Sequence, residues 1–171
     1  VRLPELIERV ILNEPKIKEM AKQCGDPKSL FFIGRNIDYA VSLEASLKLK
    51  EISYIHSEAY AAGELKHGTI SLIEEGRTVV ALACYEQLFE KLLSNIKEVK
   101  ARGANVIACA VEGHTEVASE ASRVIYIPRT DPLLLASLEV VPFQIYAYYV
   151  ALYKGCDIDK PRNLAKSVTV E

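Results

Sequence analysis

Three charged side chains stand on one face of a predicted helix. Glu44, Lys48 and Glu51 follow one another at i, i+4 and i+7, which brings them to the same side of an α-helix. Such a row is often only a solvated face with a Glu–Lys pair, which stabilises a helix by about 0.3 kcal/mol. Acid and base groups side by side can also move protons on a bound substrate. Both interpretations stay open until the position of the helix is known.

Two other segments carry groups suited to carbonyl chemistry. His67 lies in Ala62–Gly68 among glycines and charged residues rather than on an apolar face. An imidazole can both donate and accept protons, which suits proton transfer, although a histidine of a surface loop would look the same. Lys160, Arg162 and Lys166 lie in the terminal segment, where a solvated chain end is the default. If apolar neighbours dock that segment, a lysine amine could attack a carbonyl and form an imine.

Several common reaction centres lack their motifs. Gly34-Arg35-Asn36 joins a strand to a helix and could hold an anion on backbone N–H groups, but a tight turn explains the glycine equally well. The chain has no P-loop, G-x-S-x-G, H-E-x-x-H or EF-hand pattern. The four cysteines are far apart in sequence, so we expect no metal site and reduced thiols.

Composition narrows the class of protein further. The chain has 171 residues, 21 basic against 23 acidic residues and 50% hydrophobic residues, which indicates one domain with a substantial core. This charge balance argues against binding to nucleic acid or to a membrane surface. Polar residues and a proline interrupt the apolar run 133–152, which favours a core helix over a membrane span. No signal-peptide pattern opens the chain, so we expect a cytoplasmic protein, and the start at Val1 suggests a piece of a longer one.

Apolar strand signals alternate with helical ones along the chain. Strands are predicted at 29–34, 78–83, 105–110 and 124–127, with 55–61 ambiguous; helices are predicted at 3–23 with a break at Pro15, and at 37–53, 86–102, 114–121 and 132–154. Wholly apolar strands separated by helices predict an α/β three-layer sandwich with a parallel sheet. Ligands of such folds bind where the strands end. Because the helix with Glu44, Lys48 and Glu51 follows a strand directly, we expect the row at that edge, where it favours proton transfer.

Three longer segments match a known family. Leu43–Ile52 (LEASLKLKEI), Ala62–Gly68 (AGELKHG) and Pro161–Glu171 (PRNLAKSVTVE) resemble glutamine–fructose-6-phosphate aminotransferases, also called glucosamine-6-phosphate synthases. The resemblance runs from about Leu30 to the last residue and covers only the second of the family's two sugar isomerase (SIS) domains. It implies a flavodoxin-like, five-stranded parallel sheet flanked by helices over residues 1–158, followed by a tail over 159–171.

The resemblance also implies roles for individual residues. Lys166 would form the imine with open-chain fructose 6-phosphate, and Glu51 would shuttle protons between the first two carbons of the sugar or their oxygens. Lys48 and Glu44 would assist that transfer, while Ala165, Lys166 and Glu51 would bind the substrate. His67 would open the sugar ring in the neighbouring subunit's site, which implies a homodimer. The family uses no metal or organic cofactor.

Some expectations concern what lies outside these motifs. The glutaminase domain and the first SIS domain, which carries the family's phosphate-binding loop, are not in this chain, and the loop at Cys84–Gln87 has an acid and no Ser or Thr. We therefore expect the isolated chain to bind fructose 6-phosphate weakly and to form little glucosamine 6-phosphate. The family often has Gly where this chain has Asn36. A non-catalytic SIS module that senses a sugar phosphate is the alternative, and an isomerase that uses an enediol without ammonia is a third possibility.

Overall fold

The fold is an α/β three-layer sandwich around one five-stranded parallel sheet. The computed structural model describes residues 2–25 and 27–164. The strands are β1 (Leu30–Gly34), β2 (Ser57–Ala61), β3 (Thr78–Ala83), β4 (Asn105–Val111) and β5 (Arg123–Ile127). The α-helices are α1 (Leu3–Ile11), α2 (Glu14–Cys24), α3 (Ile37–Ser53), α4 (Phe89–Lys100), α5 (Val117–Glu120) and α6 (Leu135–Tyr153). The strand order β2-β1-β3-β4-β5 is that of flavodoxin-like folds, as predicted.

The sheet is covered on both faces because the side chains of each strand alternate. Phe32, and the side chains of the other strands that point to the same face of the sheet, pack against α1, α2, α3 and α6. Phe31 and Ile33 point to the opposite face, towards α4, α5 and the short 3-10 turns. The three central strands, β1, β3 and β4, are therefore buried on both sides along nearly their whole length, as strands between two helical layers must be, whereas the edge strand β2 is only partly buried.

Local sequence explains most of the element boundaries. Pro15 lies in the first turn of α2, where its missing N–H costs nothing, so it starts a second helix. A Cβ at Gly34 would lie 2.4 Å from the backbone carbon of Asp38, so only glycine lets α3 begin directly after β1. The predicted helix at 86–102 becomes α-helical only at Phe89, after a 3-10 turn over Glu86–Leu88.

The long apolar helix belongs to the core of the sandwich. The helical stretch Pro132–Tyr153 is long and apolar enough to cross a membrane by length and composition alone. In the structure α6 packs against α1, α2 and α3, and Leu138, Phe143 and Tyr146 are buried there. Its apolar composition is therefore explained by packing inside the protein.

Two edges of the sheet matter for function. We call the edge where the strands end the carboxyl edge and the edge where they begin the amino edge. Helix α3 starts at the carboxyl edge, after β1, and runs about 25 Å back to the amino edge. There the N–H of Leu30, the first residue of β1, donates to the carbonyl of His56 at 3.1 Å.

Candidate active site

The predicted row of charged side chains on α3 is present. Lys48 Nζ lies 2.6 Å from Glu51 Oε2 and 3.6 Å from Glu44 Oε1, so one ammonium bridges two carboxylates. The hydrogen bond to Glu51 raises the pKa of Lys48 above its ordinary value. Lys48 therefore stays protonated at neutral pH. The three side chains are 28–43% exposed, so a bound molecule could reach them.

The row does not lie where the sequence placed it. Glu51 is in the last turn of α3, about 21 Å from the start of the helix at Ile37. It therefore lies towards the amino edge, and the prediction of a site at the carboxyl edge is wrong for Glu51. The reason is the length of α3, because a helix that begins at one edge and is 17 residues long ends at the other.

His67 lies apart from this row within one chain. It ends the 3-10 turn Ala62–His67, which follows β2 and therefore begins at the carboxyl edge. Its side chain is 76% exposed, and its Nε2 lies 3.7 Å from Glu64 Oε2. Topology thus separates His67 from Glu51, and an exposed imidazole of this kind is available to another molecule.

The other two histidines have different surroundings. His114 is only 21% exposed and stacks on Phe89 with ring centres 3.9 Å apart. His56 comes just before β2.

The terminal segment passes the end of α3. The N–H of Arg162 donates to Tyr54 Oη at 2.9 Å, and the Arg162 guanidinium lies 4.1 Å from the centre of the Tyr54 ring. Tyr54 directly follows α3 and is three positions after Glu51. Ala165 and Lys166 lie outside the described residues, so their predicted roles stay predictions.

Sequence reasoning missed the group that fills the crevice at the carboxyl edge. Asp38, in the first turn of α3, accepts hydrogen bonds from the N–H groups of Cys84 and Tyr85 at 3.0–3.1 Å. These amides follow β3 next to the point where the strand order reverses, which is where folds of this type bind ligands. Asp38 is 1% exposed, so an internal carboxylate takes the place that an external anion could occupy. An acid two positions inside a helix that follows a strand and glycine was the available signal.

A second buried acid lies beside Asp38. Glu139 of α6 is fully buried, and neither of its carboxyl oxygens finds hydrogen-bond geometry with another described residue, although Asp38 and Cys84 are neighbours. Burial raises the pKa of Asp38 to about 7, against the lowering effect of the two amides. Burial, then the charge of Asp38, raises the pKa of Glu139 well above its usual range. The thiols of Cys84 and Cys109, 3.6 Å apart, complete this cluster.

A small cavity opens beyond the cluster. It has a volume of about 150 Å³ and is lined by Cys84, Tyr85, Glu86, Gln87, Val111, Arg129, Thr130, Pro132 and Leu135. Glu86, which we expected to repel phosphate, lies 2.8 Å from Arg129. The charges at this mouth therefore satisfy one another. Among residues 2–25 and 27–164, no three His, Cys, Asp or Glu side chains are grouped to hold a metal ion.

Comparison with known proteins gives the class first. The SIS domain family matches residues 25–154, and the chain belongs to that family. More particularly, it is 57% identical over 170 residues to glutamine–fructose-6-phosphate aminotransferase (isomerizing) of Caldanaerobacter subterraneus subsp. tengcongensis, and 56% identical over 169 residues to that of Clostridium tetani. Both alignments cover 99% of this chain and 28% of the relative, at its C-terminal part.

A solved structure agrees with this assignment. The C-terminal domain of glucosamine-fructose-6-phosphate aminotransferase from Francisella tularensis superimposes with a TM-score of 0.87 at 32% identity, over 93% of this chain and 45% of that one. The predicted family and the predicted five-stranded parallel fold are therefore confirmed. Since the chain spans about a quarter of its curated relatives, the activity of a whole enzyme is a matter for proposal.

Proposed function

We propose that the chain is the isomerase part of a cytoplasmic enzyme that converts fructose 6-phosphate and glutamine into glucosamine 6-phosphate and glutamate. The observation that carries the proposal is the Lys48 ammonium bridging Glu51 and Glu44, with the terminal segment fastened one turn beyond Glu51. Proton transfer between adjacent carbons needs a base, which a carboxylate can provide, and imine formation needs an amine. The row supplies the first, and Lys166 would supply the second.

The proposed chemistry assigns each group one task. The Lys166 amine adds to the C2 carbonyl of the open-chain ketose, and loss of water leaves the imine. Ammonia, released from glutamine by the glutaminase domain of the whole enzyme, then displaces the Lys166 amine, so that C2 carries the nitrogen of the product. Glu51 removes a proton from C1 and returns it at C2, while the C1 hydroxyl loses its proton and C1 becomes the aldehyde. Lys48 holds Glu51 in place through the 2.6 Å hydrogen bond. Together with Glu44, it assists the transfer of protons. Substrate contacts come from Ala165, Lys166 and Glu51.

His67 is proposed to act across a homodimer. It is 76% exposed and leaves the carboxyl edge, whereas Glu51 lies towards the amino edge of the same chain. A partner subunit's His67 could therefore reach the sugar that Glu51 contacts, and would open its ring. This is consistent with the role that the family resemblance gives to the histidine.

The phosphate group of the sugar needs a site elsewhere. At the carboxyl edge the amides of Cys84 and Tyr85 already donate to Asp38, and Glu86 pairs with Arg129. We therefore propose that a preceding SIS domain holds the phosphate and that the isolated chain is weakly active or inactive. The same feature counts against the alternative, a non-catalytic sugar-phosphate-binding module, because such a module must itself hold phosphate.

Borohydride trapping tests the proposal. The full-length protein is mixed with fructose 6-phosphate, reduced with borohydride, digested and mapped by mass spectrometry. We expect a hexose phosphate on Lys166, no such adduct on the neighbouring Lys160, and no trapping in Lys166→Arg. The isolated chain should trap far less sugar at the same concentration. Label on another lysine, with Lys166 unmodified, would contradict the imine assignment.

A further inference from the structure

Tyr54 has a backbone conformation that is unusual for an aromatic residue. Its φ of 61° and ψ of 14° are left-handed, at the position just past the end of α3 where proteins usually place glycine or asparagine. The two other non-glycine residues with positive φ among those described, Asn36 and Asn163, are both asparagines. Residues in sparsely populated conformations persist where the surrounding structure holds them, commonly at functional sites. The conformation of Tyr54 therefore indicates that contacts of its side chain hold it in place.

The Tyr54 side chain makes two separate contacts with one distant residue. Its hydroxyl oxygen accepts the backbone N–H of Arg162 at 2.9 Å, and its ring lies under the Arg162 guanidinium at 4.1 Å. The first contact fixes the path of the main chain, and the second is a cation–π interaction with the side chain. Neither asparagine nor glycine, the residues that suit this backbone, could make them.

The preceding segment leads the chain to this point. One carboxyl oxygen of Asp157 accepts the N–H groups of Asp159 and Lys160 at 3.1 and 2.9 Å, which turns the chain after α6. Arg162 then meets Tyr54 two positions before the described residues end at Leu164. Glu51, three positions before Tyr54, lies about one helical turn away.

We propose that Tyr54 is a positioning residue that fastens the terminal segment beside Glu51. The proposal rests on the proposed function, in which Lys166 forms the imine. Four positions separate Arg162 from Lys166, so an extended backbone reaches at most about 14 Å from the point of attachment. Without that attachment, the amine and the carboxylate would meet only when the chain end happened to approach α3. Tyr54 thus raises the effective concentration of the amine at the sugar.

The test uses Tyr54→Asn in the full-length protein. Asparagine suits the left-handed backbone, so the melting temperature should stay unchanged or rise, while the rate of borohydride trapping on Lys166 should fall about tenfold or more. Tyr54→Phe keeps the ring but loses the hydroxyl acceptor, and should trap at an intermediate rate. Tyr148→Phe, at an exposed tyrosine of α6, is the matched control and should trap like wild type.

A merely structural role gives a different result. Misfolding would reduce the trapped fraction in proportion to the loss of folded enzyme, whereas loss of positioning lowers the rate in enzyme with an unchanged melting temperature. Wild-type trapping rates in Tyr54→Asn would overturn the inference and leave the proposed function standing. If Tyr54→Asn melts early, Tyr54→Phe and Arg162→Ala decide, and wild-type rates in both overturn it. If wild-type protein traps no sugar, the proposed function itself fails.

Discussion

The two edges of the sheet use charged residues in opposite ways. At the carboxyl edge, Asp38 and Glu139 are buried and face backbone amides or each other. From the middle of α3 to its last turn, which lies towards the amino edge, Glu44, Lys48 and Glu51 form a partly exposed row. The edge at which such folds usually bind ligands is thus filled by the protein itself. The charged groups that a ligand could reach lie farther along the same helix, and Glu51 lies in its last turn.

This division follows from what each site must supply. A phosphate site needs N–H groups without internal acceptors, and Asp38 removes two of them. A proton-transfer site needs carboxylates that a substrate can approach, and the α3 row provides them. If a second domain binds the phosphate, as proposed above, this domain needs to supply only the proton-transfer site.

Glu51→Gln should have the largest effect. Glutamine can keep the contact with Lys48 but cannot accept a proton from carbon, so kcat of the full-length protein should fall about 100-fold or more. Thermal stability should hardly change, because glutamine has nearly the same shape and can keep the contact with Lys48. Glu90→Gln, at an exposed glutamate of α4, is the control, and both variants are assayed for glucosamine 6-phosphate formation. A loss in Glu51→Gln of less than threefold would remove the amino edge from the chemistry.

Glu139→Gln should affect stability at the other edge, in a pH-dependent way. The pKa of Asp38 is raised to about 7 and burial raises that of Glu139 well above its usual range, so the folded chain holds protons that the unfolded chain releases. The free energy of unfolding therefore falls as pH rises from about 4 through 7. Glutamine removes one of these acids, so the variant should be more stable than wild type by about 2 kcal/mol at pH 8 and nearly equal to it at pH 4.

Urea unfolding of the 171-residue chain at both pH values measures this difference. Glu90→Gln again serves as the exposed control and should show no pH-dependent gain. The activity of full-length Glu139→Gln should stay within about twofold of wild type at pH 7. A large loss of activity without loss of stability would mean that the carboxyl edge takes part in the reaction.

The sequence predicted the elements better than their direction. Helix α3 was predicted at its observed bounds, 37–53, because its apolar stripe and the turn residues before it are unambiguous. The row on its face followed from spacing alone. The distance of the row from the carboxyl edge depends on the length of α3 relative to the sheet. The row was placed by the residue at which the helix begins, and a local sequence pattern does not give that relative length.

The contacts that sequence reasoning missed are all long-range. Asp38 meets the amides after β3, 46 and 47 positions away, and Arg162 meets Tyr54 across 108 positions. No periodicity links residues at such separations, and strand order alone brings them together. Tyr54 gave a fainter signal, since a tyrosine where a helix must end departs from the usual glycine.

Asn36→Gly should give the smallest effect and the cleanest contrast between the edges. Asn36 precedes α3 at the carboxyl edge with φ 55° and ψ −122°, a conformation that favours glycine, and its side chain makes no capping hydrogen bond. Relief of this strain, less the entropy that glycine adds to the unfolded chain, should stabilise the protein by about 0.5–1 kcal/mol. Imine trapping should stay at the wild-type rate, unlike in Tyr54→Asn at the other end of the helix. Urea unfolding and borohydride trapping of both variants, measured side by side, make the comparison. Slower imine trapping in Asn36→Gly than in wild type would show that strain at the carboxyl edge also contributes to the reaction.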